Sequence, residues 1–187
     1  STDLGESSLI MAIGGGSVEF IFCSMDEIFW KKSFPVGAAK LMAAFHHSDP
    51  ISDTDIKTVK DHLAIALAEL KSKAIEFKPN KLVGSAGAFE TFAALETSIF
   101  KQSNEFLKSD NYIFDPLQLK QVLKQLISSD HDERAANELI IPVRTDMIVV
   151  ASILTEYILE FLNMQHITMS RYSLKEGLLL QGYAELH

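Results

Sequence analysis

The run Leu9-Ile10-Met11-Ala12-Ile13-Gly14-Gly15-Gly16-Ser17-Val18-Glu19-Phe20-Ile21-Phe22-Cys23 decides how this chain folds. Leu9 to Ile13 is a short apolar run that reads as a strand buried on both faces. After the glycines, the β-branched and aromatic residues from Val18 to Cys23 favour a second strand. Ser24-Met25-Asp26-Glu27 is a polar turn into a third, Ile28 to Phe34. Three strands in about 25 residues, joined by turns this short, form an antiparallel meander.

Consecutive glycines at a hairpin tip permit positive φ and remove every Cβ from its concave side. Successive backbone N–H groups can then converge on an anion, a nest for phosphate oxygens. Ser17 adds a hydroxyl donor. Glu19, two residues on in an extended strand, shares its face and can reach a metal held by the phosphates. A tight turn with no ligand is the plainer alternative. No Gly-Lys-Ser/Thr follows, so this is not a P-loop.

Beyond Phe34 the hydrophobic period changes. Val36 to Phe45 reads as a short helix after Pro35. Ser52 to Phe77 carries Ile56, Val59, Leu63, Leu67, Leu70 and Ala74 at helical spacing, with Ser52 as N-cap and Asp55 three residues on. Lys81 to Gly84 is a short strand entering Gly84-Ser85-Ala86-Gly87, where a helix through Phe89, Phe92 and Leu95 opens. Helix N-termini present unpaired N–H groups and a positive dipole end, so this is a second phosphate-loop candidate. Small residues there also serve close strand–helix packing.

Asp115-Pro116 starts a helix bearing Leu119, Val122, Leu123 and Leu126. Asp132 to Leu139 and Arg144 to Leu162 are further helices, His166 to Ser170 a strand, and Leu174 to the end a last helix. Ser98 to Asn111 reads as a surface loop. The order, β-β-β-α-β-α-β-α with helical insertions, predicts an α/β domain with a mixed sheet covered by helices. It is the element order of the ribonuclease H-like fold of the actin-like ATPase superfamily.

The 187 residues, 47% hydrophobic and 22% charged, suit one globular domain. A net charge of −8 argues against nucleic acid or an anionic membrane as partner, but not against a small polyanion held by local donors. Cys23 is the only cysteine and reads as a small buried hydrophobe; no Cys/His spacing resembles a zinc site. The chain shows no membrane span and no signal-peptide pattern, so the expected compartment is the cytoplasm. With no starting Met and a strand within eight residues, it reads as a piece of a longer protein. His46, His47 and His62 stand beside or on helices with no nucleophile in register, and read as solvated surface.

The chain resembles the C-terminal half of the actin-like core in the exopolyphosphatase and guanosine pentaphosphate phosphohydrolase family. Ala12 to Glu19 is similar to the family's Asp-Ile-Gly-Gly-Gly-Ser-Thr-Glu, and Val36-Gly37-Ala38-Ala39-Lys40-Leu41 to its Val-Gly-Ala-Val-Arg-Leu. Gly84-Ser85-Ala86-Gly87-Ala88-Phe89-Glu90-Thr91 resembles its second glycine loop. Arg144-Thr145-Asp146-Met147-Ile148 looks like its Arg-Ala-Asp-Ile-Ile, and Ser170 to Leu179 like its closing Ser-x-x-Gly-Leu-Arg-Glu-Gly-Leu-Leu.

The resemblance implies one half of a magnesium-dependent phosphohydrolase that removes the terminal phosphate of polyphosphate or guanosine pentaphosphate. On that reading Gly14, Gly15, Gly16, Ser17, Gly84, Ser85 and Gly87 hold phosphate and Glu19 is the metal-linked carboxylate. Lys40 and Arg144 are cationic contacts, with Arg144 alternatively paired to Asp146 or a helix end. The family's general base belongs to the N-terminal domain, which this sequence lacks, so no catalytic residue is expected here. A dimer is implied. Ala12 replaces the family's Asp, Ala86 and Ala88 its more polar loop residues, and Ser173 and Lys175 its Gly and Arg. Two other readings stay open: a phosphate- or alarmone-binding module without catalysis, and half of a sugar-kinase-like ATPase.

Overall fold

The structure is a computed structural model that describes residues 7–24, 26–85, 87–101 and 110–171. Strands β1 (Ser8–Ile13), β2 (Val18–Cys23) and β3 (Ile28–Phe34) form the expected meander, with Ala12 opposite Glu19 and Glu19 opposite Ser33. β4 (Lys81–Ser85) joins β1 in parallel, and β6 (His166–Ser170) joins β4 in parallel. The sheet order is β3-β2-β1-β4-β6-β5. This is the mixed α/β sheet of the ribonuclease H-like fold. β5 (Asn111–Ile113), antiparallel to β6, is an extra edge strand at the end of the stretch read as loop. Only Tyr112 of its three residues is buried, so the segment carried almost no periodic signal.

On one face Leu9, Leu82 and Ile167 lie abreast, with Met11, Gly84 and Met169 in the next row, and the apolar members are fully buried or nearly so. Ile10 and Ala12, on the other face of β1, are half-buried rather than buried. Phe20, Phe22, Phe89 and Phe92 are wholly enclosed, each worth roughly 1.5–3 kcal/mol of burial.

Helices α1 (Ala38–Phe45), α2 (Asp53–Ala66), α3 (Ala68–Phe77), α4 (Ala88–Glu96), α5 (Pro116–Ser128), α6 (His131–Ala135) and α7 (Met147–Leu162) complete the described fold. α7 buries nine residues between Ile148 and Ile158 and packs on α1, α2 and α5, as an all-round apolar helix must. The helix expected over 52–77 is broken at Leu67 (φ −101°, ψ 17°), keeping Val59, Leu63, Leu67 and Leu70 all buried. The helix expected from Arg144 starts at Met147, after a 3₁₀ turn Pro142–Arg144. That expected over 132–139 is the short α6, set by a capping box between Asp130 and Glu133. Within the described residues no helix is long and apolar enough to cross a membrane. The expected helix from Leu174, with Ser173 and Lys175, lies outside the described residues.

After β1 the chain turns to β2 on one side; after β4 it crosses to β6 on the other. The carboxyl ends of β1 and β4 therefore flank a topological switch point, where open sheets of this kind bind ligands.

Candidate phosphate site

The glycine hairpin is clamped by the start of α1. The N–H groups of Ala38 and Ala39 donate to the carbonyls of Gly14 and Gly15, both at 2.9 Å. Lys40 N–H adds a bond to Gly15 at 3.3 Å and Gly37 N–H one to Gly16 at 3.4 Å. These are the orphan donors of a helix N-terminus, here consumed by the loop. In a trans peptide the C=O and N–H point in opposite directions. With the carbonyls of Gly14, Gly15 and Gly16 turned toward α1, the N–H groups of Gly15, Gly16 and Ser17 point away from it. None of the three has a backbone acceptor among the described residues. Three successive donors aimed to one side form an anion nest.

Positive φ plays no part in this. Among the described glycines only Gly87 has it, at φ 59°. The expectation for Gly14 to Gly16 is corrected because the clamp, rather than a left-handed turn, shapes the tip. What the hairpin requires is space. A Cβ on Gly14 would sit 3.0 Å from the Ser17 carbonyl, and one on Gly37 would fall 2.4 Å from both Gly15 O and Ser17 N.

A cleft of about 190 Å³ opens beside the hairpin. Gly14 and Gly15 form one wall, Gly87 and Ala88 at the start of α4 another, and Val143, Arg144 and Met147 a third. Gly87 caps α4 with no side-chain bond, so the first-turn N–H groups have no side-chain acceptor in the cap. Arg144, one-quarter exposed, stands 3.7 Å from the Glu90 carboxylate and 3.4 Å from Thr91 Oγ1. Its ion pair is thus with α4 and not with Asp146, which instead bonds His131 and Arg134.

Of the residues singled out in the sequence, the cleft gathers Gly14, Gly15, Gly87 and Arg144. Gly16 and Ser17 continue the hairpin beyond it, and the Lys40 side chain is exposed, outside the lining. Gly84 and Ser85 are buried in β4, and Gly84 lies under the Phe89 ring, the packing alternative for that glycine. Glu19 is exposed on β2 and faces Ala12, where a cross-strand pair brings Cβ atoms about 5 Å apart. The described residues contain no group of three or more His, Cys, Asp or Glu arranged to hold a metal ion. Magnesium is commonly held by one or two carboxylates together with phosphate oxygens and water, a role for which Glu19 offers one exposed carboxylate. Missed from the sequence was Gly37, whose need for space arises only when α1 meets the hairpin.

His46 was read as surface, yet its side chain is only 7% exposed, 3.8 Å from Asp49; His47 and His62 are exposed as expected. His131, near His46 and His47, donates its ring Nδ1–H to the Asp146 carboxylate at 2.7 Å. That bond raises the His131 pKa above its ordinary 6.5 and lowers Asp146 below 3.8. The histidine part of this stabilisation is complete below 6.5 and lost as pH rises through the raised value; the aspartate part is lost only as pH falls through the lowered one. The melting-temperature gap between the parent and His131→Gln is therefore largest at about pH 5 and closes as pH rises past neutrality. An equal gap at about pH 5 and pH 8.5 refutes the pairing.

A model of the Ppx/GppA phosphatase family matches residues 4–185. Exopolyphosphatase 1 of Mycobacterium leprae is 25% identical over 170 residues, which cover 90% of this chain and 49% of the relative. Among solved structures, an exopolyphosphatase from Cytophaga hutchinsonii superposes with a TM-score of 0.88 at 36% identity, over 94% of this chain and 56% of that one. The Aquifex aeolicus Ppx/GppA family member, at 22% identity, shares the fold with a TM-score of 0.82, over 98% of this chain and 58% of its own. Spanning about half the length of the curated relative it matches, this chain belongs to the Ppx/GppA phosphatase family.

Proposed function

We propose that this chain supplies one wall of a phosphohydrolase cleft, binding the terminal phosphates of inorganic polyphosphate or guanosine pentaphosphate. The observation that carries the reading is the clamped hairpin, whose Gly15, Gly16 and Ser17 N–H groups are turned away from α1, and whose Gly14 and Gly15 line one cleft with Gly87 and Arg144. Cleaving a phosphoanhydride needs charge neutralisation and positioning, which backbone donors and a cation provide without covalent chemistry. The general base and the facing wall belong, on this reading, to an N-terminal domain beyond this sequence, in a cytoplasmic and dimeric protein. On this reading magnesium takes Glu19 as a carboxylate ligand and completes its shell with phosphate oxygens and water.

A second reading, a phosphate- or alarmone-binding module without catalysis, is favoured by Ala12 facing Glu19, where the family pattern places a carboxylate. Calorimetry with tripolyphosphate, guanosine pentaphosphate and ATP, each with and without magnesium, separates the readings when combined with phosphate release by the full-length protein. Binding of ATP alone overturns both. Binding of phosphates with no release favours the module. Arg144→Ala is expected to weaken tripolyphosphate binding about tenfold, the loss of one charge-assisted contact of ~1.4 kcal/mol. Unchanged affinity removes Arg144 from the site.

A further inference from the structure

Arg134 is the largest side chain fully buried in the described structure, 1% exposed, and it touches no ligand surface of the cleft. It lies on the five-residue helix α6 and ties it to three other stretches of chain. Its Nε donates to the Thr145 carbonyl at 2.7 Å. One terminal nitrogen donates to the Ser129 carbonyl at the end of α5. The other donates to Asp49 at 2.8 Å, in the α1–α2 connection, and to Asp146 at 3.3 Å. Burying a guanidinium is costly, and a hydrophobic side chain of equal volume often stabilises a core as well or better. The bond pattern says what the charge does instead. Thr145 and Asp146 are the two residues after Arg144, and they bridge the 3₁₀ turn to α7. Asp146 caps α7 without a side-chain bond of its own, so local capping does not fix this bridge. Two of its groups, the Thr145 carbonyl and the Asp146 carboxylate, are held by one guanidinium.

We propose that Arg134 is a positioning residue for Arg144, fixing the backbone on which the cleft's cation stands. The inference rests on the reading of Arg144 as a phosphate contact. A planar fork with five donors can hold the Thr145 carbonyl, the Ser129 carbonyl and two carboxylates at once; a lysine ammonium cannot. Because Arg134 acts through Arg144, its removal matters only while Arg144 is present.

The test is a double-mutant cycle read by calorimetry with tripolyphosphate, alongside the melting temperature of each variant. Arg134→Met is expected to weaken binding about tenfold, matching Arg144→Ala, and the double variant to bind no more weakly than Arg144→Ala alone. Arg134→Lys is expected to lose nearly as much and carries the same criterion should Arg134→Met fail to fold. Losses that simply add in the double variant, or parental affinity in Arg134→Met or Arg134→Lys, overturn the inference. If Arg144→Ala itself binds like the parent, it is the reading of the cleft that fails, and the cycle shows this separately.

Discussion

Gly37→Ala is expected to leave a folded chain that has lost most of its affinity for tripolyphosphate, by tenfold or more (at least ~1.4 kcal/mol). The new methyl carbon has nowhere to go. Its ideal position is 2.4 Å from Gly15 O and 2.4 Å from Ser17 N, both backbone atoms, so no rotamer change relieves the clash. Either α1 withdraws from the hairpin or the hairpin opens. Both movements break the bonds from Ala38 and Ala39 that turn the Gly14 and Gly15 carbonyls inward. The N–H groups of Gly15 and Gly16 then lose their common direction, and the nest with it. The site lies at the ends of strands β1 and β2, so the stability cost is that of local overpacking, about 1–3 kcal/mol. Calorimetry and a melting curve measure the two effects separately. Parental affinity in a folded Gly37→Ala protein would mean that the hairpin does not hold phosphate.

The elements that proved legible in the sequence are those whose patterns are local. The meander from Leu9 to Phe34 announces itself by two strong β segments separated by glycine, and its third strand by a polar turn; the registers follow. The capping box at Asp130 and Glu133 is equally local, yet the helix expected there starts at Asp132 and runs to Leu139, past the end of the short α6. Illegible were features made by contacts distant in sequence. Gly37 becomes indispensable through Gly15 and Ser17, and Arg134 through Asp49 and Thr145. The break at Leu67 has no glycine or proline to mark it, and Leu63, Leu67 and Leu70 keep their helical spacing and burial across it. For the site, sequence brought the glycine loops and Arg144 to one cleft. It could not assign Arg144 its partner, because Glu90 is 54 residues away in the chain (144 minus 90) and only the fold makes them neighbours.

Gly84 tests the link between packing and the second loop. A Cβ there would lie 2.1 Å from Cδ1 and 2.2 Å from Cγ of Phe89, a ring that is wholly buried in the first turn of α4. Unlike the clash at Gly37, this one is with a side chain, but the ring is fixed. Phe89 packs edge-on against Phe92 at 5.6 Å and Phe114 at 6.5 Å, so it cannot swing away without leaving a void. Gly84→Ala is therefore expected to destabilise the domain by roughly 3 kcal/mol, at the upper end of overpacking effects. Displacing Phe89 also shifts the start of α4 and with it Gly87 and Glu90, the partner of Arg144. A loss of tripolyphosphate affinity should accompany the loss of stability. The decisive comparison is Gly84→Ala combined with Phe89→Leu. Removing the ring costs core burial on its own, yet it vacates the space the new methyl needs, so the double variant should be more stable than the sum of the two single losses predicts. Simple additivity in denaturant titrations would show that Gly84 is small for a reason other than the Phe89 ring.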